Sequence, residues 1–211
     1  MYIFTRIVET DGEMDVVLPT VMELQKVASD VAGLNVVAWS GGLGFRNGTL
    51  MFSVAYERVS DRAAATGKLA GSKAWADANR QLIPHIRSVE PDVLAQIIKG
   101  GSIGGQIPAG AVINSIQSRL AAGADWAACL QWAVEQAEIN EKLCGVPGNV
   151  AYAVYGELGT INMYTGFPNA EAAEAARDAW VSSPEWMEHF LKGGAFAMEG
   201  SVLSRQLTKI N

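Results

Sequence analysis

The sequence predicts an α+β protein made of two tandem βαββαβ repeats whose antiparallel sheets pack face to face. Two observations carry that expectation. Short landmarks recur in the same order at a nearly constant offset: Gly48-Thr49-Leu50 returns as Gly159-Thr160-Ile161, and Ser72-Lys73-Ala74-Trp75 returns as Ser183-Pro184-Glu185-Trp186. Val93-Leu94 and Gly33 are answered in the same way by Val202-Leu203 and Gly145. Each half also alternates between period-two and helical apolar patterns in the same sequence of elements.

The first repeat opens with a strand over residues 2–9. A helix over 19–32 follows, with Pro19 at its first position, apolar Val21, Leu24, Val27, Ala28 and Val31 on one face, and Gly33 as its stop. Strands over 35–40 and 49–57 come next, joined by a turn containing Asn47-Gly48. A second helix starts near Ser60, breaks at Gly71-Ser72 and resumes through Trp75, Ala78 and Leu82 before a last strand over 93–98. The second repeat has expected strands over 112–118, 149–155, 161–165 and 202–208. Its first helix is capped by Asp125 and ended by Gly145, and its second starts at Asn169, breaks at Ser182-Ser183 and resumes at Pro184. The expected division is therefore residues 1–99, a glycine-rich linker over 100–110, and residues 111–211.

A four-stranded sheet with both helices on one face leaves its other face bare, and a second copy on the same chain would cover it. The bulk properties suit such a core: 211 residues are 49% apolar, with a net charge of −6 and a pI near 5.0. That acidic balance argues against a nucleic-acid partner or an anionic membrane surface. Met1 leads directly into a strand-like run with no basic and apolar leader pattern, and no stretch approaches the ~20 apolar residues of a bilayer span, so a cytoplasmic protein is expected. Cys129 and Cys144 fall in one helical pattern that would hold them roughly 22 Å apart, so they read as core thiols.

The element order, the shared Ser-x-x-Trp break in the second helix and the duplication make the chain resemble the dimeric α/β-barrel superfamily. That group includes antibiotic-biosynthesis monooxygenases, stress-responsive A/B-barrel proteins, haem-degrading monooxygenases and tandem-repeat chlorite dismutases. The resemblance implies two ferredoxin-like repeats forming an intramolecular α/β barrel, and a small-molecule ligand between the sheets or beneath one. It implies either a cofactor-independent monooxygenase-like enzyme acting on an aromatic or apolar substrate, or a non-catalytic assembly protein of the same fold, which could pair again as a homodimer.

The strand residues that could orient such a substrate are Arg6, Trp39, Asn114, Tyr152, Asn162 and Tyr164. Alternation puts Arg6 with Tyr2 and Phe4 on one face, and Asn162 with Tyr164. Each can equally be a structural residue whose polar atoms find partners in the fold. A haem-binding reading follows the same resemblance: Asn114 with Trp180 and His189 would supply that branch's Asn, Trp and His. Against it, aligning the helix break puts Phe190 rather than His189 at the histidine's place, and Asn79 there in the first repeat. No strand arginine of the second repeat has a claim to the position over a haem. His189 otherwise reads as a helix-face histidine beside Glu188. Without haem no cofactor is expected, and with two histidines and no Cys-x-x-Cys or His-Glu-x-x-His no metal site is expected either. Gly41-Gly42-Leu43-Gly44 lacks dinucleotide-fingerprint spacing, and Gly-x-Ser-x-Gly does not occur. No catalytic residue is singled out.

Overall fold

The computed structural model describes residues 1–101 and 107–210. The expected linker over 100–110 thus falls in part, at 102–106, outside the described residues.

The first half runs β1 (Tyr2–Thr10), α1 (Met14–Ala32), β2 (Val36–Gly41), β3 (Thr49–Tyr56), α2 (Val59–Ala70), α3 (Lys73–Leu82), β4 (Ile86–Val89) and β5 (Val93–Lys99). The second runs β6 (Val112–Arg119), α4 (Trp126–Cys144), β7 (Gly148–Tyr155), β8 (Thr160–Phe167), α5 (Ala170–Val181), α6 (Pro184–Lys192) and β9 (Leu203–Lys209). Both halves have the expected βαββαβ order, with the second helix broken in two. Ser72 and Ser183 explain the break: each side chain accepts the backbone N–H of the tryptophan three residues on, Trp75 or Trp186, and so starts a new helix.

Two features differ from the sequence expectation. Helix α1 begins at Met14, five residues before the expected start, and carries Pro19 inside it. At the sixth position Pro19 removes the bond to the carbonyl of Asp15, and because Asp15 is exposed water can take that bond's place. The short strand β4 was not anticipated. It lies on β1 through Val8 and Val89, beyond the stretch of β1 that pairs with β5.

The sheets do more than face each other. Within the first half the order is β5-β1-β3-β2, and within the second β9-β6-β8-β7. β2 then pairs antiparallel with β9, Ser40 opposite Thr208, and β5 with β7, Ala95 opposite Ala153. These two seams close an eight-stranded antiparallel barrel with β4 as an extra strand outside it. Helices α1 to α3 cover one outer side around Val8, Val21, Leu24, Ala38 and Leu50. Helices α4 to α6 cover the other, with Cys129, Ala133, Val150 and Ile161 in one cluster and Phe167, Trp180 and Trp186 in the next.

Candidate functional site

An eight-stranded barrel leaves an interior just wide enough for side chains to fill, so the size of those side chains decides whether a void remains. Strand alternation turns Ile3, Thr5 and Ile7 of β1, Ser115 and Gln117 of β6, Ala151 and Ala153 of β7, and Asn162 and Tyr164 of β8 inward. Many are small, and a cavity of about 140 Å³ remains. One side is plugged by Trp39, which is 2% exposed, packs with Val37, Ile113 and Leu207, and donates its indole N–H to Ser53 Oγ at 2.8 Å.

The polar atoms of the cavity are distributed unevenly. On β6, Ser115 stands opposite Tyr164 of β8 and Arg205 of β9, so the three form one row across neighbouring strands. The corresponding row of the first half is Ser53, Thr5 and Val93. The second half therefore contributes a phenol and a guanidinium where the first contributes a hydroxyl and an isopropyl group. With strands about 4.8 Å apart, the Tyr164 and Arg205 backbones are roughly 10 Å from each other across the row.

Four buried side-chain polar atoms have no hydrogen-bond partner among the described residues. Three of them belong to this cavity: Thr160 Oγ1, Tyr164 OH and Arg205 Nε. The fourth, Trp180 Nε1, belongs to the outer helical layer, where the Cys144 thiol is the polar group that faces it. Leaving such atoms unpaired costs roughly 1–3 kcal/mol each. Burial also pushes the Tyr164 phenol well above the ordinary tyrosine value, so it stays protonated and is a donor. The contacts of Arg205 among the described residues are to neutral groups: its Nη1 donates to Gln117 Oε1 at 3.3 Å, and its guanidinium lies 4.9 Å from the centre of the Phe45 ring. Phe45 reaches it from the loop between β2 and β3, which extends the pairing with β9 through Gly42 N–H to Gln206 O and Gln206 N–H to Leu43 O. Glu157, exposed in the turn between β7 and β8, also borders the cavity.

The residues singled out from sequence fall in different places. Asn162 and Tyr164 line the cavity, and Trp39 packs beside it. Arg6 shares a face with Phe4 as expected, but that face is the outer one, where Arg6 forks onto Asp92 at 2.8 and 2.7 Å. Asn114 also faces outward and accepts from Gln206 at 3.1 Å. Tyr152 donates to Gln96 at 2.7 Å and meets Trp126 edge-on. His189 is held between Gln136 at 3.0 Å and Glu135 at 3.1 Å and stacks on Trp132. Thr160, Gln117 and Arg205 were not singled out. Arg205 carried the clearest signal, being the one charged residue between Leu203 and Leu207 on the same face of its strand.

An outer groove between β6, β9 and helices α5 and α6 is where a haem would lie under the haem-binding reading. Asn114, Trp180, Trp186 and Phe190 line it. A haem iron needs an axial His, Cys, Met or Tyr, and the described lining has none of these. His189 points into its own network with α4 instead. The described lining of this groove therefore offers no axial ligand to a haem iron. Burial pushes the Cys129 thiol up to about 11 and raises Cys144 as well, which disfavours the thiolate form of both. Among the described residues, no helix is long and apolar enough to cross a membrane.

No family model and no curated protein sequence matches the chain. Solved structures do. A "putative monooxygenase" from Fusobacterium nucleatum superposes with a TM-score of 0.69 at 8% identity, covering 100% of this chain and 92% of that one. An anthrone oxidase-like protein gives 0.66 at 13% identity, covering 100% and 91%. A mutant chlorite dismutase from Candidatus Nitrospira defluvii, in complex with cyanide, gives 0.54 at 13% identity, covering 98% and 90%. At these identities the likeness speaks for the fold: a dimeric α/β barrel of two ferredoxin-like halves, here closed within one polypeptide.

Proposed function

We propose that the barrel interior binds a small, largely apolar molecule of about the bulk of one aromatic ring, and that the chain oxidises it as a cofactor-independent monooxygenase. The observation that carries this reading is the set of unpartnered donors, Thr160 Oγ1, Tyr164 OH and Arg205 Nε, around one apolar void. An interior filled by large side chains would have favoured an assembly protein; an open one with Tyr164 unpaired favours a ligand.

The volume limits the ligand. An engineered apolar cavity of about 150 Å³ accepts benzene, and this one is about 140 Å³. A single ring fits, whereas a three-ring anthrone would require the Phe45 loop to move. Burying roughly 150 Å² of ring contributes about 4 kcal/mol, which alone corresponds to about millimolar affinity. Hydrogen bonds from the three donors add to that.

In cofactor-independent oxygenation the substrate's own anion supplies all the electrons to dioxygen, one oxygen atom entering the oxidised product and the other leaving as water. The protonated Tyr164 phenol, facing the substrate oxygen, stabilises that anion, and the positive potential of the Arg205 guanidinium beside it helps to lower the substrate's pKa. Glu157 is the one carboxylate among the described lining residues and is the group that would take the proton. The test is oxygen uptake by the purified protein with single-ring hydroquinones and with anthrone. Uptake with the former that is lost in Tyr164→Phe supports the reading. No uptake, together with no binding of any ring compound by calorimetry, would sink it.

A further inference from the structure

We infer that the molecule taken into the barrel is an anion, a small aromatic monocarboxylate whose carboxylate pairs with Arg205. This rests on the reading of the interior as a ligand site and adds the charge of its occupant.

Arg6 illustrates how this fold normally accommodates a half-buried arginine: its guanidinium forks onto a carboxylate of the same chain, Asp92. Arg205 has no such partner. Among the described residues no carboxylate lies within 4.0 Å of it. A guanidinium cannot shed its charge, and desolvating one without a counter-charge is costly. The Phe45 ring and the Gln117 amide relieve part of that cost without neutralising it. Among the described residues nothing neutralises it, and a bound anion would.

The geometry points to a carboxylate in particular. Gln117 takes Nη1 and leaves the opposite edge, Nε and Nη2, without a hydrogen bond among the described residues. That edge presents two parallel N–H groups, the fork that matches the two oxygens of a carboxylate. The other walls select the rest of the molecule. Ile3, Ile7, Met51, Val93 and Ala95 form an apolar face across the cavity, so the ring points toward the first half and the carboxylate toward β9.

Benzoate and benzamide have nearly the same shape and differ in charge, so calorimetric titration of the full chain with both at neutral pH tests the inference. Benzoate is expected to bind at least tenfold more tightly. Arg205→Gln should bring the two affinities together, while Arg205→Lys should retain part of the preference. The cavity-filling variant Ala153→Leu should abolish binding of both, and circular dichroism checks that each variant is folded. If Arg205→Gln does not fold, the wild-type ratio and the lysine variant decide. Equal affinities on the wild type, or a ratio that survives Arg205→Gln, would overturn the anion while leaving a ligand site intact. Benzoate binding that persists in Ala153→Leu would place the anion elsewhere and overturn the inference too. If neither compound binds, the ligand site falls with it.

Discussion

Ser53 and Tyr164 hold the same register position in the two halves of the barrel. Each lies four residues after the threonine that opens its strand, and each stands opposite a hydroxyl on the first strand of its half, Thr5 or Ser115. Ser53 spends its hydroxyl on the Trp39 indole, whereas the Tyr164 hydroxyl is buried without a partner.

The two positions should therefore respond oppositely to loss of the hydroxyl. Tyr164→Phe removes an unsatisfied buried group and is expected to leave unfolding free energy unchanged or raised by up to about 1 kcal/mol. Ser53→Ala strands the Trp39 N–H and should cost about 1–3 kcal/mol. Urea denaturation of both variants checks this; a loss at Tyr164 as large as that at Ser53 would mean that the phenol has a protein partner.

Ala153→Leu adds apolar volume where the cavity has room for it. Overpacking a filled core costs about 1–3 kcal/mol, but here the expected change in melting temperature is zero or upward. A clear drop would show that the interior is already full.

Gly44 holds the Phe45 loop against β9 with a φ of +81°, and a Cβ placed there would collide with the Ser204 carbonyl oxygen. The left-handed conformation alone costs a non-glycine residue about 1–2 kcal/mol. Gly44→Ala should destabilise the chain by at least about 2 kcal/mol, or release the loop from Gln206, which hydrogen exchange at the Gln206 amide would report as lost protection.

The Glu135 carboxylate is held below the usual range by the Gln131 amide and by His189. A depressed carboxylate contributes stability that is present above its unfolded pKa, about 4.3, and lost as pH falls through the lower folded value. Melting curves of the wild type should fall more steeply below about pH 4.5 than those of Glu135→Gln. Parallel curves would mean that this exposed cluster adds nothing.

Much of the fold was legible because its signals are local and were written twice. The Ser-x-x-Trp pair fixed both helix breaks, and Asp125 and Gly145 marked the ends of α4 correctly. The candidate site was less legible, because period-two alternation separates the two faces of a strand without saying which one becomes the interior. Arg6 and Tyr164 both sat on faces rich in large apolar residues. Arg6 turned outward because its partner, Asp92, comes from 86 residues away, a distance that no local pattern reveals. Arg205 was missed for the converse reason: a lysine, a serine and a glutamine around it made the whole strand look polar, although its own face reads Leu-Arg-Leu.

The two seams of the barrel join unlike strands of one polypeptide. A ring assembled from separate chains comes apart on dilution. Here each half meets the other at the millimolar effective concentration typical of a short tether, so closure does not depend on how much protein is present. Nor does either half ever have to match a copy of itself. A guanidinium opposite its own duplicate would have met like charge across the lumen; opposite Val93's half it meets none, and the vessel can have one charged wall and one oily one.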